Sequence, residues 1–295
     1  MSSAGLEKVP SDHPILVVVV AYGSEEELAE CLDALGNATR VVVIDNGHTE
    51  EARQVCLAGG ADYVRTDSNI GFAAAVNVAL RTRRTAGSDV LLLNPDARLG
   101  SEDLSLLRAG LHRSGDLAAV GPRLVNPDGS EQKVLWPIPS PWTALASVVG
   151  AADAVSRRQF ISGAVLLLRG DALDQVGLFD EQFFLYAEET DWQLRAIQAG
   201  WRVAVVQDAV AVHVGGGTSA DPARRQLLFD ASAERFTRKW YGNFGWQVLR
   251  MASILAALRR LVSTRDEDTR LTQRRAMMNF FRGPVASLDA SKVGE

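Results

Sequence analysis

Short unbroken apolar runs alternate with amphipathic stretches along this chain, a pattern that predicts strands covered on both faces and helices packed against them. Ile15–Ala21 reads as the first strand, and Leu28, Cys31, Leu32 and Leu35 then repeat at helical spacing. Ser24 and Glu27 form a capping box at the start of that helix. Val41–Ile44 is a second strand, so these elements predict a right-handed parallel crossover. A helix over Glu50–Ala58, a short strand at Asp62–Arg65, a helix entered through Gly71 and ending near Thr85, and a strand from Val90 follow. Beyond them come a helix over Glu102–Arg113, strands at Ala118–Gly121, Phe160–Arg169, Val203–Val206 and Val210–His213, and a helix ending at Ala199 before Gly200. The fold class predicted is α/β, with a mostly parallel sheet flanked by helices. Between Val134 and Ser156 the periodicity loosens around Trp136, Pro137, Pro139, Pro141 and Trp142, which predicts a mobile insertion.

Polar residues fall where the strands stop. Asp45 opens Asp45-Asn46-Gly47, and Asp96 closes Asn94-Pro95-Asp96, where Pro95 cannot continue a ladder. In open α/β sheets that carboxyl edge is where ligands bind. A carboxylate at Asp45 suits ribose hydroxyls or a base imide, and one at Asp96 suits a divalent cation that holds phosphate oxygens. Gly71, with Ala73, Ala74 and Ala75 behind it, lets a ligand or a neighbouring backbone come close, and a helix start favours phosphate. Ser162-Gly163 marks another close approach at a strand start or kink. Each of these segments is also an ordinary turn, and none decides a function alone.

Glu188, Glu189 and Asp191 gather at a helix start, where the helix dipole by itself favours negative side chains. Asp191 and Arg195 are also an i,i+4 pair. Phe183, Phe184, Leu185, Tyr186 and Trp192 surround the cluster with apolar bulk. Carboxylates in such surroundings have raised pKa values, which suits a general base.

The net charge of −5 argues against a nucleic-acid partner. The charge is unevenly spread: from Asp221 onward 14 Lys and Arg stand against 8 Asp and Glu, leaving −11 for the first 220 residues. Cys31 and Cys56 match no metal or redox spacing. Residues 1–14 read as a loose leader without the order of a signal peptide, and no apolar run reaches transmembrane length.

Taken together, Val18–Tyr22, Val43–Asn46, Asn69–Phe72, Leu92–Asp96, Ser162–Ala164, Gly177–Glu181, Glu188–Asp191 and His213 stand in an order that resembles inverting family 2 glycosyltransferases. Within that family the chain is similar to the rhamnosyltransferase-like branch of bacterial cell-wall and O-antigen biosynthesis. The resemblance covers about Ile15 to Gly217 and implies a GT-A fold. In that fold a Rossmann-like nucleotide half (15–125) joins an acceptor half (126–217) around one sheet, with 218–295 as a helical extension.

By the same resemblance, Ala21, Tyr22 and Asp45 hold the nucleoside of a nucleotide-sugar, while Asn69, Gly71, Asn94, Ser162, Gly163 and Glu188 complete the donor site. Asp96 and His213 ligate Mg²⁺ or Mn²⁺, and Glu189 is the general base with Asp191 as the alternative. Two departures stand out: Asn94 replaces the first Asp of the metal motif, and Glu189 stands where Asp is commoner. The implied reaction moves L-rhamnose from dTDP-L-rhamnose to a polyprenyl-diphosphate-linked sugar, with the Val134–Ser156 insertion covering the acceptor. The alternatives are a UDP- or GDP-sugar donor, for galactofuranose or mannose, or a non-catalytic nucleotide-sugar or glycan-binding module.

Past Gly217, Arg224 and Arg225 suit a diphosphate, and Arg224 is expected among the nucleotide-sugar-binding residues, reaching the donor diphosphate as a loop closes. Val248–Val262 predicts an apolar helix edged by Arg250, Arg259 and Arg260, and Arg270–Arg282 is a second basic segment. Such helices fit either peripheral contact with the inner face of the cell membrane from the cytoplasm, or packing on the catalytic body or in a homodimer.

Overall fold

The elements of the first half follow the apolar runs: β1 (Ile15–Ala21), α1 (Glu25–Leu35), β2 (Arg40–Asp45), α2 (Glu50–Ala58), β3 (Asp62–Arg65), α3 (Phe72–Arg83) and β4 (Asp89–Leu93). They belong to a computed structural model that describes residues 15–23, 25–36, 40–151, 158–215 and 221–292. β1 pairs in parallel with β2 and β4, and β2 with β3. Every residue of β1 and β4 is buried, as their unbroken apolar sequence requires. α1 buries Leu28, Cys31, Leu32 and Leu35, while its expected cap, Ser24, lies outside the described residues. α2 is capped by Thr49, whose hydroxyl accepts from the Ala52 amide at 3.1 Å and donates to Glu25 Oε1 at 2.7 Å.

The second half adds β5 (Ala97–Arg98), α4 (Ser101–His112), β6 (Leu117–Val125), β7 (Glu131–Gln132), β8 (Leu135–Pro137), α5 (Pro141–Val148), β9 (Gln159–Ile161), β10 (Val165–Leu168), α6 (Gly170–Val176), α7 (Glu188–Gln198) and β11 (Arg202–His213). One nine-stranded sheet results, ordered β3-β2-β1-β4-β10-β6-β11-β5 with β7 on β6. Its first four strands are parallel; β10 enters antiparallel between β4 and β6, so the second half of the sheet is mixed.

Phe160–Arg169, read as one strand, is two. β9 pairs with β8 in a separate ribbon and β10 joins the main sheet, so Ser162-Gly163-Ala164 is where the chain changes sheets. Conversely Val203–His213 is one strand rather than two. The polar Gln207-Asp208 that appears to end it is absorbed as a bulge between Val206 and Val210.

The Val134–Ser156 stretch, expected to be a mobile insertion, holds β8 and α5. Its punctuation has a local cause: Ser140 and Thr143 form a capping box and Pro141 occupies the first helical turn. Residues 152–157 lie outside the described residues.

The extension is three helices: α8 (Pro222–Ser263), α9 (Glu267–Arg282) and α10 (Pro284–Lys292). α8 turns at Gly242, whose φ of +65° no helical residue adopts. α5 docks on α8, where the Arg259 guanidinium donates to the Val148 carbonyl. α9 folds back so that the Trp246 and Phe280 rings lie 6.1 Å apart.

α8 also buries a carboxylate at a loss. Gln226 donates to Asp230 Oδ1 at 2.9 Å, but Oδ2 is buried without a partner. Burial pushes this carboxyl up to about 6. A raised folded-state pKa means stability falls as pH rises from the unfolded value through about 6. Asp230→Asn removes that loss and is expected to add about 3 kcal/mol at pH 7.5 and well under about 1 kcal/mol at pH 4. Urea melts at the two pH values check this, and equal effects at both would contradict the assignment.

Candidate active site

β4 runs out of apolar residues at Leu93, and Asn94-Pro95-Asp96 turns the chain across the carboxyl edge of the sheet. Asn94 holds this turn with its backbone: its amide donates to the Ala164 carbonyl at 2.9 Å and its carbonyl accepts from Ala97 at 3.1 Å. β5 then pairs antiparallel with the end of β11, setting Ala97 opposite His213. This register brings Asp96 Oδ1 within 3.4 Å of His213 Nε2.

The other ring nitrogen, Nδ1, lies 2.9 Å from Gln132 Oε1, and Gln132 Nε2 donates to the His213 carbonyl at 2.7 Å. With Nδ1 held by Gln132, Nε2 faces Asp96 and donates its hydrogen there; loss of that hydrogen would free the Nε2 lone pair for a cation held between the two side chains. Burial works against ionisation of Asp96, but the contact with His213 and backbone amides outweigh it and hold its carboxyl below the usual range.

This pair fits a small divalent cation. Neighbouring ligands of an octahedral ion stand about 3 Å apart, close to the separation seen here. Among the described residues no group of three His, Cys, Asp or Glu gathers. The remaining ligands would therefore be water and substrate oxygens, as is usual for Mg²⁺.

A second set of acids comes from α7. Tyr186 and Ala187 both lie in the left-handed region, at φ +68° and +70°, unusual for non-glycine residues and characteristic of functional sites. Ala187 offers no side-chain cap, and Glu188 and Glu189 occupy the first turn. Glu188 Oε2, Glu189 Oε2 and Ser162 Oγ are all buried with no hydrogen-bond partner. A methyl group added at Gly163 would lie 3.4 Å from Glu189 Cγ, so the sheet-switching turn sits directly against that side chain. Burial pushes Glu189 up to about 7, and burial together with the charge of Glu189 drives Glu188 well above the carboxylate range. Unsatisfied buried polar atoms at one place, beside the turn bonded to Asn94, mark a space built for a ligand.

Asp191, the alternative base, does not join this space. It is 0% exposed, and its carboxylate accepts from Trp240 Nε1 at 2.9 Å, Lys239 Nζ at 2.6 Å and Arg195 Nε at 3.0 Å. Its role is to fasten α7 to α8.

The expected nucleoside residues cluster at the ends of β1 and β2. Ala21 is buried and Tyr22 is 52% exposed. Asp45 is buried: Oδ1 accepts from the Gly47 and His48 amides at 2.8 and 2.9 Å, and Oδ2 from the Tyr63 hydroxyl at 2.7 Å. Any nucleoside contact through this carboxylate competes with those donors.

Gly71, read as the entrance to a phosphate-binding helix, is occupied by the protein itself. The Phe72 amide donates to the Phe184 carbonyl at 2.7 Å, and the Gly71 amide to Asn69 Oδ1 at 3.0 Å. A Cβ at Gly71 would meet Phe184 O at 2.5 Å, and its φ is +84°. The close approach is thus of backbone, which joins the start of α3 to the loop before α7. Arg224 lies exposed in the first turn of α8, and residues 216–220, between it and His213, are outside the described residues.

The family model of glycosyl transferase family group 2 matches residues 90–287, more than half of the chain, and that of glycosyl transferase family 2 matches residues 16–148. The chain belongs to glycosyltransferase family 2. The low-salt glycan biosynthesis hexosyltransferase Agl10 of Haloferax volcanii is 25% identical over 206 residues, 67% of this chain and 66% of that protein. The N-acetylglucosaminyl-diphospho-decaprenol L-rhamnosyltransferase of Mycobacterium tuberculosis is 28% identical over 78% of this chain and 87% of that protein. The solved mannosyltransferase PcManGT of Pyrobaculum calidifontis, in complex with GDP-Man and Mn²⁺, superposes with a TM-score of 0.56 at 17% identity, over 97% of this chain and 84% of that one. The fold is GT-A.

In this glycosyltransferase the residues that sequence reasoning missed are supports. Gln132 orients His213 from β7, while Lys239 and Trp240 hold Asp191 from α8. Only pairing across the sheet and docking of the extension reveal them. Gln132, following an Asn-Pro-Asp-Gly turn, carries no local signal of its partner.

Proposed function

We propose that this glycosyltransferase is an inverting, metal-dependent enzyme that transfers L-rhamnose from dTDP-L-rhamnose to a polyprenyl-diphosphate-linked sugar. The observation that carries the mechanism is the Glu189 carboxyl, pushed up to about 7, whose Oε2 is buried without a hydrogen-bond partner and whose stem lies against the Ser162–Gly163 turn. Glu189 takes the proton of the acceptor hydroxyl as its oxygen attacks the anomeric carbon. The nucleoside diphosphate leaves from the opposite face, so configuration inverts without a covalent intermediate. Ser162 offers its unpaired hydroxyl to the sugar, and Glu188, whose carboxyl burial and the charge of Glu189 push well above the usual carboxylate range, lines the same space. Asp96 and His213 would hold Mg²⁺ or Mn²⁺, which when bound would supply positive charge at the leaving group.

The rhamnosyl donor and lipid-linked acceptor rest on the mycobacterial relative, which shares most of its length with this chain. A GDP-sugar donor is the second reading, favoured by the complex of the archaeal structure with GDP-Man. Contact with an anionic membrane surface is supported by α8. Phe244, Met251, Leu255, Leu258 and Val262 are exposed at three- and four-residue spacings or their sums, in an extension whose excess charge is basic. Among the described residues no helix is long and apolar enough to cross a membrane.

A thermal-shift panel of dTDP-, UDP- and GDP-sugars, each with Mn²⁺ and with EDTA, tests the donor. Ligand at a hundred times its Kd adds about 2.7 kcal/mol to the folded state, and the expected outcome is a Mn²⁺-dependent rise with dTDP-rhamnose. A rise with GDP- or UDP-sugars alone would move the donor. No rise with any would overturn the reading of the site.

A further inference from the structure

A cavity of about 980 Å³ opens between the first turns of α8 and the middle of α9, and neither Asp96 nor His213 lines it. Arg224 and Arg225 line it from α8, Arg275 and Asn279 from α9, and Tyr186 from the loop before α7. The one acidic residue in its wall is Asp221, whose Oδ1 accepts from the Ala223 amide at 2.8 Å. Three guanidinium groups around one cavity match the oxygens of a diphosphate, which Arg binds in a bidentate manner. Phe229 adds an apolar side, with its ring 5.7 Å from that of Tyr186. Leu271, Met278 and Phe281 are exposed on the same helix as Arg275.

The position relative to the base decides which diphosphate. Tyr186 stands three residues before Glu189, so its Cα lies within about 11 Å of the base along the chain. In an inverting displacement the base and the attacking hydroxyl lie on one face of the anomeric carbon, and the leaving diphosphate lies on the other. The cavity shares Tyr186 with the loop that delivers the base, which favours the diphosphate of the acceptor over that of the donor, and the dTDP arm of the test below separates the two.

We propose that this cavity holds the diphosphate of the lipid-linked acceptor, with the prenyl chain leaving over the exposed apolar residues of α9. The inference rests on the reading above that the acceptor is a polyprenyl-diphosphate sugar. It gives the extension a direct part in substrate recognition.

Farnesyl diphosphate is the probe. Its binding to the full chain is measured by titration calorimetry without donor, beside farnesol and, separately, dTDP with Mn²⁺. Wild type is expected to bind farnesyl diphosphate and not farnesol. Arg275→Ala is expected to weaken that binding at least about tenfold, as for loss of a hydrogen bond to a charged group, with Arg275→Lys in between. Affinity for dTDP with Mn²⁺ should not follow the same series. Arg275 is exposed, so the variants fold, and melting curves verify this. Unchanged farnesyl diphosphate affinity in Arg275→Ala, equal binding of farnesol, or no binding by wild type overturns the proposal. So does a parallel loss of dTDP affinity, which would assign the cavity to the donor. Failure of the rhamnosyl reading shows in the donor panel instead, and leaves this titration interpretable.

Discussion

Glu189→Gln is expected to lower turnover by about 10²- to 10⁴-fold, the range a general base supplies, while donor binding stays within about twofold. The substitution keeps the shape of the side chain and removes only its ability to take a proton. Glu189 Oε2 has no hydrogen-bond partner, so an amide nitrogen can replace it while the remaining carbonyl oxygen keeps the backbone amides of Glu189 and Thr190 as donors. The wild-type rate carries the same signature in pH. Burial favours the protonated carboxyl and places its pKa at about 7, so kcat/KM should rise from pH 5.5 through 7 and then level. In the Gln variant that rise should vanish. Glu189→Asp, which draws the carboxylate back by one methylene, should recover part of the rate and restore the pH dependence. A Gln variant with wild-type turnover, or a wild-type profile flat between pH 5.5 and 8.5, would remove Glu189 from the role.

Asp191→Ala should act on stability, lowering it by about 3–5 kcal/mol, the range for removing one partner of a buried ion pair. The carboxylate has no exposure and sits between the Arg195 guanidinium and the Lys239 ammonium, with the Trp240 indole N–H as a third donor. Its loss leaves those cations facing each other and opens the joint between α7 and α8. Arg195 remains tied to the Val176 and Leu178 carbonyls at 2.8 Å each, so the damage should fall on the α8 side. Asp191→Asn, which can keep the Trp240 bond, should lose less. Chemical denaturation of the three proteins measures this, and a difference under about 1 kcal/mol for the Ala variant would show the network to be peripheral. The contrast between neighbours is the point: Glu189 is read in rate and pH, Asp191 in stability.

The joint between α7 and α8 bears on the extension as a whole. Ser232 donates to the Leu185 carbonyl at 2.7 Å, and Lys239 pairs with Asp180 at 2.7 Å. The loop that delivers Glu188 and Glu189 is therefore gripped by the helix after the catalytic motifs. Packing on the catalytic body is realised by the first half of α8, through Phe236 and Trp240. The later half keeps the exposed apolar residues on which the membrane proposal rests.

How much of this was legible along the chain depended on how local the physics is. Ile15–Ala21 and Glu50–Ala58 could be read to the residue, because unbroken burial and a single apolar face leave a period in the sequence. The carboxyl-edge placement of Asp45 and Asp96 followed from the strand stops, and the order of motifs pointed to the family. Tertiary structure alone decided the rest. Asp191 and Glu189 are two residues apart on the same helix turn, equally acidic and equally surrounded by aromatics in sequence. The approach of Lys239 and Trp240 from about fifty residues away separates them. Gly71 offered its space equally to phosphate and to backbone until Phe184 filled it. Periodicity records which face of an element is buried, and strand stops record where a sheet ends. Neither records which partner arrives from a distant segment, and at this site the partner determines whether a carboxylate binds protons, bridges helices or meets substrate.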